Sequence, residues 1–211
     1  MPEILKISIA KPDPHQILKT VEILQAGGVI AYPTETFYGL GVDGCNPKAI
    51  EKIFHIKGRT FNQPISVIIG STDGLQNIVV DFPEIAGKLI NVFWPGPLTL
   101  VFKAAPSVPR FLTAGTGKIG IRVSSHPIAA AMAKMFCYPI TATSANLSGT
   151  KECSSAMEVI DCIGDQLDMI IDGGSTPALS GSTLLDITTS PPSILREGMI
   201  PAATLHPFLH S

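Results

Sequence analysis

Charge is scarce in this chain. Of its 211 residues only 15% are charged, and only four are arginines: Arg59, Arg110, Arg122 and Arg196. Typical proteins carry about 25% charged residues. Fifteen Lys and Arg against 17 Asp and Glu leave a formal net charge of −2, so the molecule as a whole has no general attraction for nucleic acid or an anionic membrane. Any anion site must be built locally, from few cations. Long apolar runs are also missing, since none approaches the roughly 20 residues that span a bilayer. The opening Met1-Pro2-Glu3-Ile4-Leu5-Lys6 has neither the basic nor the apolar region of a secretory signal. The expected location is the cytoplasm, with no membrane partner. Cys45, Cys137, Cys153 and Cys162 form no C-x-x-C and have no histidine at metal-ligand spacing, so they read as buried free thiols. His206 and His210 stand four apart in a Pro-containing tail and are not read as a metal pair.

The common nucleotide and hydrolase signatures are absent as well. Gly115-Thr116-Gly117-Lys118 resembles the tail of a P-loop, but Leu112 stands where the first glycine belongs and Ile119 where a Ser or Thr would reach magnesium. No G-x-G-x-x-G both follows a strand and opens a helix, and there is no G-x-S-x-G elbow.

What is present is a well-punctuated chain with 45% hydrophobic residues, which excludes disorder and supports one substantial core. Residues 15–26 place Ile17, Leu18, Val21 and Leu24 on one helical face before Gly27-Gly28. A buried strand over 29–32 follows. Asn46-Pro47 opens a helix that ends near Lys57-Gly58-Arg59. Further strands are expected at 65–69, 98–102, 119–123, 139–143, 168–172, 183–187 and 193–196, and helices at 84–93 and from Ser125-His126-Pro127 to Met135. Ser155-x-x-Glu158 reads as a capping box for a helix through Ile163. Several strands are joined without room for a crossover helix, so the fold class is α/β with a mixed sheet, as one domain over 1–211.

Polar groups gather where buried strands run out, the usual place for ligands in α/β proteins. Pro33–Gly41 offers hydroxyls and glycines, and Lys57-Gly58-Arg59 offers two cations, though a turn and a solvated helix cap account for them equally well. Arg122 lies inside an otherwise apolar strand and should meet a carboxylate or a phosphate. Thr141–Gly149 carries short hydroxyl and amide side chains that suit phosphate oxygens or an ordinary turn. By themselves these residues imply an anion-binding α/β domain.

Together they resemble the YrdC-like family of L-threonylcarbamoyladenylate synthases. The matching pieces are PTETFYGLG at 33–41, KGR at 57–59, WPGPLTLVF at 94–102, IGIRVSSHP at 119–127, TSANLSG at 143–149, GST at 181–183 and ILREG at 194–198. They come in the family's order over about 15–200, and the resemblance is to the short, single-domain form. It implies a twisted mixed sheet with flanking helices around a positively lined concave cavity. It also implies a nucleotidyltransferase that turns L-threonine, bicarbonate or CO2 and ATP, with Mg²⁺, into threonylcarbamoyl-AMP and pyrophosphate. The product would feed a downstream threonylcarbamoyl-transferase complex that modifies adenosine 37 of tRNA, with direct contact to double-stranded RNA such as tRNA a further implied property.

The resemblance assigns roles by position. Lys57 and Arg59 are the implied catalytic pair that grips ATP phosphates; Gln63, Lys118, Ser144, Asn146 and Arg196 complete the ATP side. Thr34, Thr36, Arg122 and Ser182 form the threonine side, with Arg122 taking the carboxylate. No protein side chains alone are expected to hold a metal. Four positions depart from the family pattern: Thr60 for a proline, Gln63 for an asparagine, Ile68 for a histidine and Ala142 for a threonine. Two other readings stay open. One is a carbamoyl-adenylate-forming carbamoyltransferase domain, usually found in much larger chains; the other is a non-catalytic RNA-binding module, which the net charge disfavours.

Overall fold

A computed structural model describes residues 2–177 and 179–209; His210, and with it the His206–His210 spacing, lies outside the described residues. In chain order the first elements are β1 (Glu3–Lys6), α1 (Pro14–Gln25), β2 (Ile30–Tyr32), β3 (Gly39–Gly41), α2 (Pro47–Lys57) and β4 (Val67–Ile68). Then come α3 (Glu84–Phe93), β5 (Leu98–Lys103), α4 (Arg110–Thr113), β6 (Lys118–Arg122) and α5 (Pro127–Phe136). The last are β7 (Ile140–Thr141), β8 (Thr143–Ser144), α6 (Ala156–Ile163), β9 (Met169–Asp172), β10 (Thr183–Asp186), β11 (Ser193–Arg196) and α7 (Ala202–Leu209).

Local chemistry starts and stops the helices where the sequence signals it. Asn46 Oδ1 accepts from the Lys48 and Ala49 N–H groups, Pro47 fills the first turn of α2, and Gly58 ends it at φ +59. Ser155 Oγ accepts from the Glu158 N–H at 3.2 Å. The Glu158 carboxylate, however, reaches back to the Ser154 N–H at 2.6 Å, one residue before the cap. Strands β1 and β3 and helices α4 and α7 carry no such signal. β3 is Gly-Leu-Gly, and α7 contains Pro207.

The strands form two mixed sheets rather than the single sheet expected. One has the order β1-β9-β2-β3-β8, parallel through β9 and antiparallel beyond β2. The other runs β11-β10-β5-β6-β4-β7, with parallel pairs at β10–β5 and β4–β6. The expected strand at 139–143 divides around Ala142: β7 pairs with β4, whereas β8 pairs with β3. Thr141 secures this crossing. Its hydroxyl accepts from Val42 N and donates to Leu40 O, each at 3.0 Å, while its carbonyl accepts from Tyr32 Oη at 2.9 Å. A buried strand end needs such partners for its backbone groups.

Two apolar clusters hold the sheets. Ile50 and Phe54 of α2, Leu100, Ile121 and Val159 belong to one; Ile17 and Leu24 of α1, Ile30, Met132 of α5 and Ile171 belong to the other. The cysteines are free, but only Cys153 is fully buried: Cys162 is intermediate, and Cys45 and Cys137 are exposed. Cys45 lies in the turn before α2 and Cys137 caps α5 in the left-handed region at φ +64, both positions the apolar clusters do not cover. Among the described residues no helix is long and apolar enough to cross a membrane.

Candidate functional site

A concave cavity of about 300 Å³ opens where the two sheets meet beside β8, β6 and β10. Thr34, Thr36, Arg59, Gln63, Arg122, Ser144, Ser182 and Arg196 all contribute to its wall. Three of the four arginines therefore converge here, with Glu152 the carboxylate that faces them across the wall. A second cavity, about 490 Å³ and more apolar, contains none of these residues.

The turn after β2 presents two threonines. Thr34 Oγ1 donates to Phe37 O at 2.7 Å and accepts from Thr36 N at 3.1 Å. Its only proton is thereby used, so Thr36 must donate in the 2.9 Å contact between the two hydroxyls. Thr36 Oγ1 consequently turns lone pairs toward the cavity and suits a ligand that donates.

Arg122 closes β6 and is 4% exposed. It meets a carboxylate, as a cation in an apolar strand should: Nη1 donates to Glu35 Oε1, and the Ser124 hydroxyl donates to Glu35 Oε2. Glu35 stands inside the PTETFYGLG stretch, but no local pattern tells that it reaches a residue 87 positions away.

Arg59 leaves α2 through the left-handed Gly58 and lies 5.2 Å from the Phe54 ring centroid. Nη1 donates to Gln63 Oε1 at 3.2 Å, while Nε and Nη2 are buried without a partner. Burial pushes the guanidinium down from its ordinary range. Two orphaned cationic donors on a cavity wall are costly unless an anion meets them. Arg196, at the end of β11, grips Ser182 O through Nη2 at 2.9 Å and Nε at 3.3 Å. Ser182 Oγ in turn shares a 2.8 Å hydrogen bond with Thr99 Oγ1.

Lys57 and Asn146 are placed behind the wall. The Lys57 ammonium, 4% exposed, donates to Ser144 O at 2.7 Å, Asn146 O at 2.9 Å and Asn146 Oδ1 at 3.1 Å. All three of its protons are used, so it shapes the 144–146 loop instead of reaching into the cavity. Burial first, and then the Arg59 charge, push it down to about 8, which leaves it protonated at neutral pH. The solvated helix cap is thus excluded for Lys57. Asn146 Oδ1 also accepts from Ser144 Oγ at 2.6 Å, and Nδ2 donates to Thr150 O at 2.7 Å.

Lys118 is not brought to the cavity. It begins β6, about 13 Å along the strand from Arg122, and its ammonium binds Asp186 at 2.8 Å. Burial works to raise Asp186, but the bonds from Lys118 and Thr188 hold it below the ordinary range. Of the departures from the family pattern, Ala142 and Gln63 line the cavity. Ile68 does not: it is fully buried in the second apolar cluster. Glu152 and Ser66 also line the wall and carried no sequence signal; Thr99 lines it too and stands in the WPGPLTLVF stretch without a role assigned to it there.

The Sua5/YciO/YrdC family model, described as "Telomere recombination", matches residues 22–198. The threonylcarbamoyl-AMP synthase of Pyrococcus abyssi is 39% identical over 178 residues, covering 84% of this chain and 52% of its own length. This chain thus spans about half of that relative. The threonylcarbamoyl-AMP synthase of Vibrio campbellii is 35% identical over 186 residues, covering 87% of this chain and 98% of its own. A crystal structure of P. abyssi Sua5 complexed with L-threonine superposes with a TM-score of 0.95 at 34% identity, over 98% of this chain and 61% of that one.

Proposed function

Since the chain belongs to the Sua5/YciO/YrdC family, we propose that it makes threonylcarbamoyl-AMP and pyrophosphate from L-threonine, bicarbonate or CO2, and ATP. The observation that carries this reading is the pair of buried, partnerless Arg59 donors in the wall of a cavity that also holds Arg122 and Arg196. A cavity so built suits two anions at once. Arg59 and Arg196 take the phosphates; Arg122 takes the amino-acid carboxylate; Thr36 accepts from a donor group of the amino acid. Mg²⁺ arrives with ATP as part of that substrate.

The chemistry then needs no protein nucleophile. The threonine nitrogen bonds to the carbon of CO2 and loses a proton, giving a carbamate; from bicarbonate the same N–C bond forms as a C–O bond breaks and the hydroxyl leaves with that proton as water. A carbamate oxygen forms a bond to the α-phosphorus as the bond to the β-phosphate bridge breaks, and pyrophosphate leaves. Bringing two anions into contact is the unfavourable part, and fixed guanidinium donors offset it. Lys57 and Asn146 hold Ser144 and its loop in place for the nucleotide. The product would pass to a downstream threonylcarbamoyl-transferase complex acting on tRNA.

Pyrophosphate release measured with ATP, threonine and bicarbonate, each omitted in turn, tests the reading. Release that depends on all three is expected. Release indifferent to threonine overturns it, and release that requires carbamoyl phosphate favours the carbamoyltransferase instead.

A further inference from the structure

Glu35 is the one member of the Thr34–Thr36 turn whose side chain does not line the cavity. It turns back between Arg122 Nη1 and the Ser124 hydroxyl. Ser124, 2% exposed, accepts in turn from the His126 N–H at 3.2 Å, immediately before α5. The carboxylate therefore ties together the turn after β2, the end of β6 and the start of α5. It cannot swing freely, because both of its oxygens are held and its neighbours Thr34 and Thr36 are fixed by their own hydrogen bonds.

A guanidinium on a long side chain loses rotamer freedom when it is fixed. If that ordering is complete before a ligand arrives, binding no longer has to supply it. We propose that Glu35 is a positioning residue: it holds Arg122 by Nη1, so that the remaining guanidinium donors are aimed into the cavity for the carboxylate of the amino-acid substrate. Ser124 fixes Glu35 in that task. The pair also leaves Arg122 charge-compensated, whereas Arg59 and Arg196 have no salt-bridge partner among the described residues. Phosphates are thereby drawn to the latter two arginines, and the Arg122 subsite is left to a ligand that matches its directed hydrogen bonds. This inference rests on the proposed role of Arg122 in holding the threonine carboxylate.

Glu35→Ala and Glu35→Gln separate orientation from charge. The Ala variant should raise the KM for threonine at least tenfold, with the KM for ATP within twofold of wild type. The Gln variant keeps an acceptor for Arg122 and should return the threonine KM to within about threefold. Equal rises in both KM values, or no change in either variant, would overturn the inference. A second readout needs no turnover. The Arg122 Nε–Hε NMR signal, assigned by its loss in Arg122→Lys, should be sharp in wild type and Glu35→Gln and broadened in Glu35→Ala. A sharp signal in all three overturns the positioning role even where threonine-dependent release is normal. Should release ignore threonine while the signal still follows Glu35, the synthase reading fails and the positioning of Arg122 stands.

Discussion

Lys57 grips Asn146 twice, through the backbone oxygen at 2.9 Å and the side-chain oxygen at 3.1 Å. The last residue of α2 thereby fixes a loop 89 positions later in the chain. Lys57 and Arg59 are two residues apart, yet one is spent inside the protein and the other is left open to a ligand.

Their substitutions should therefore behave differently. Lys57→Met leaves Asn146 O without its buried partner and Ser144 O with the Asn146 N–H alone, at about 1.5–3 kcal/mol for each charge-assisted bond lost. The melting temperature should fall by at least about 4 °C, given about 2–4 °C per kcal/mol for a domain of this size. Arg59→Ala should leave melting within about 2 °C and raise the KM for ATP at least tenfold. Thermal unfolding and ATP titration of both variants check this, and equal melting losses would refute the division.

The depressed Lys57 also gives a pH dependence. With a folded value of about 8 against an ordinary 10.5, the ammonium is protonated below pH 8 and holds all three oxygens. Above pH 8 it becomes an amine with two protons, one oxygen is released, and nucleotide affinity should fall. Stability moves the other way. Between about 8 and 10.5 the unfolded chain binds the proton that the folded one has lost, so this group's contribution to stability rises with pH there. Nucleotide binding and chemical denaturation compared from pH 7 to 9.5 would show the two trends diverging.

Gly198 packs against the 181–182 loop so closely that an added Cβ would lie 2.2 Å from Gly181 O and 2.6 Å from Ser182 C. Gly198→Ala must push apart the segment that carries Ser182 and the strand end that carries Arg196. A loss of about 1–3 kcal/mol is expected, together with a higher KM for ATP. Unfolding in urea and steady-state kinetics provide the check, and a variant with wild-type values in both would contradict the close packing.

Thr36→Val keeps the shape of the side chain and removes the lone pairs that face the cavity. The threonine KM should rise roughly tenfold, the worth of about one hydrogen bond, and Thr36→Ser should restore most of it. Stability should fall by only about 1 kcal/mol, since the lost contact to Thr34 leaves that hydroxyl with Phe37 O and Thr36 N.

Much of this protein is written locally. The apolar spacing at Ile17, Val21 and Leu24, the Asn46-Pro47 cap, the Gly58 stop and the isolated charge of Arg122 each report a local free energy, and each is found in the fold as read. The motif order likewise points to the family, because the same short stretches must return to the same strand ends. What local sequence could not decide is which distant groups meet. Nothing around residues 57 and 59 distinguishes a lysine saturated by Ser144 and Asn146 from an arginine left with two orphaned donors. Lys118 is a cation near the right stretch, but strand register carries it to Asp186 and away from the cavity. The split at Ala142 that makes two sheets, and Glu35 reaching Arg122, depend on partners about 70 to 100 residues away. Hydrogen-bond saturation is a property of the assembled neighbourhood, so the sequence determined which polar and charged residues gather where the strands end, and tertiary structure alone decided which of their donors and acceptors remain free for a ligand.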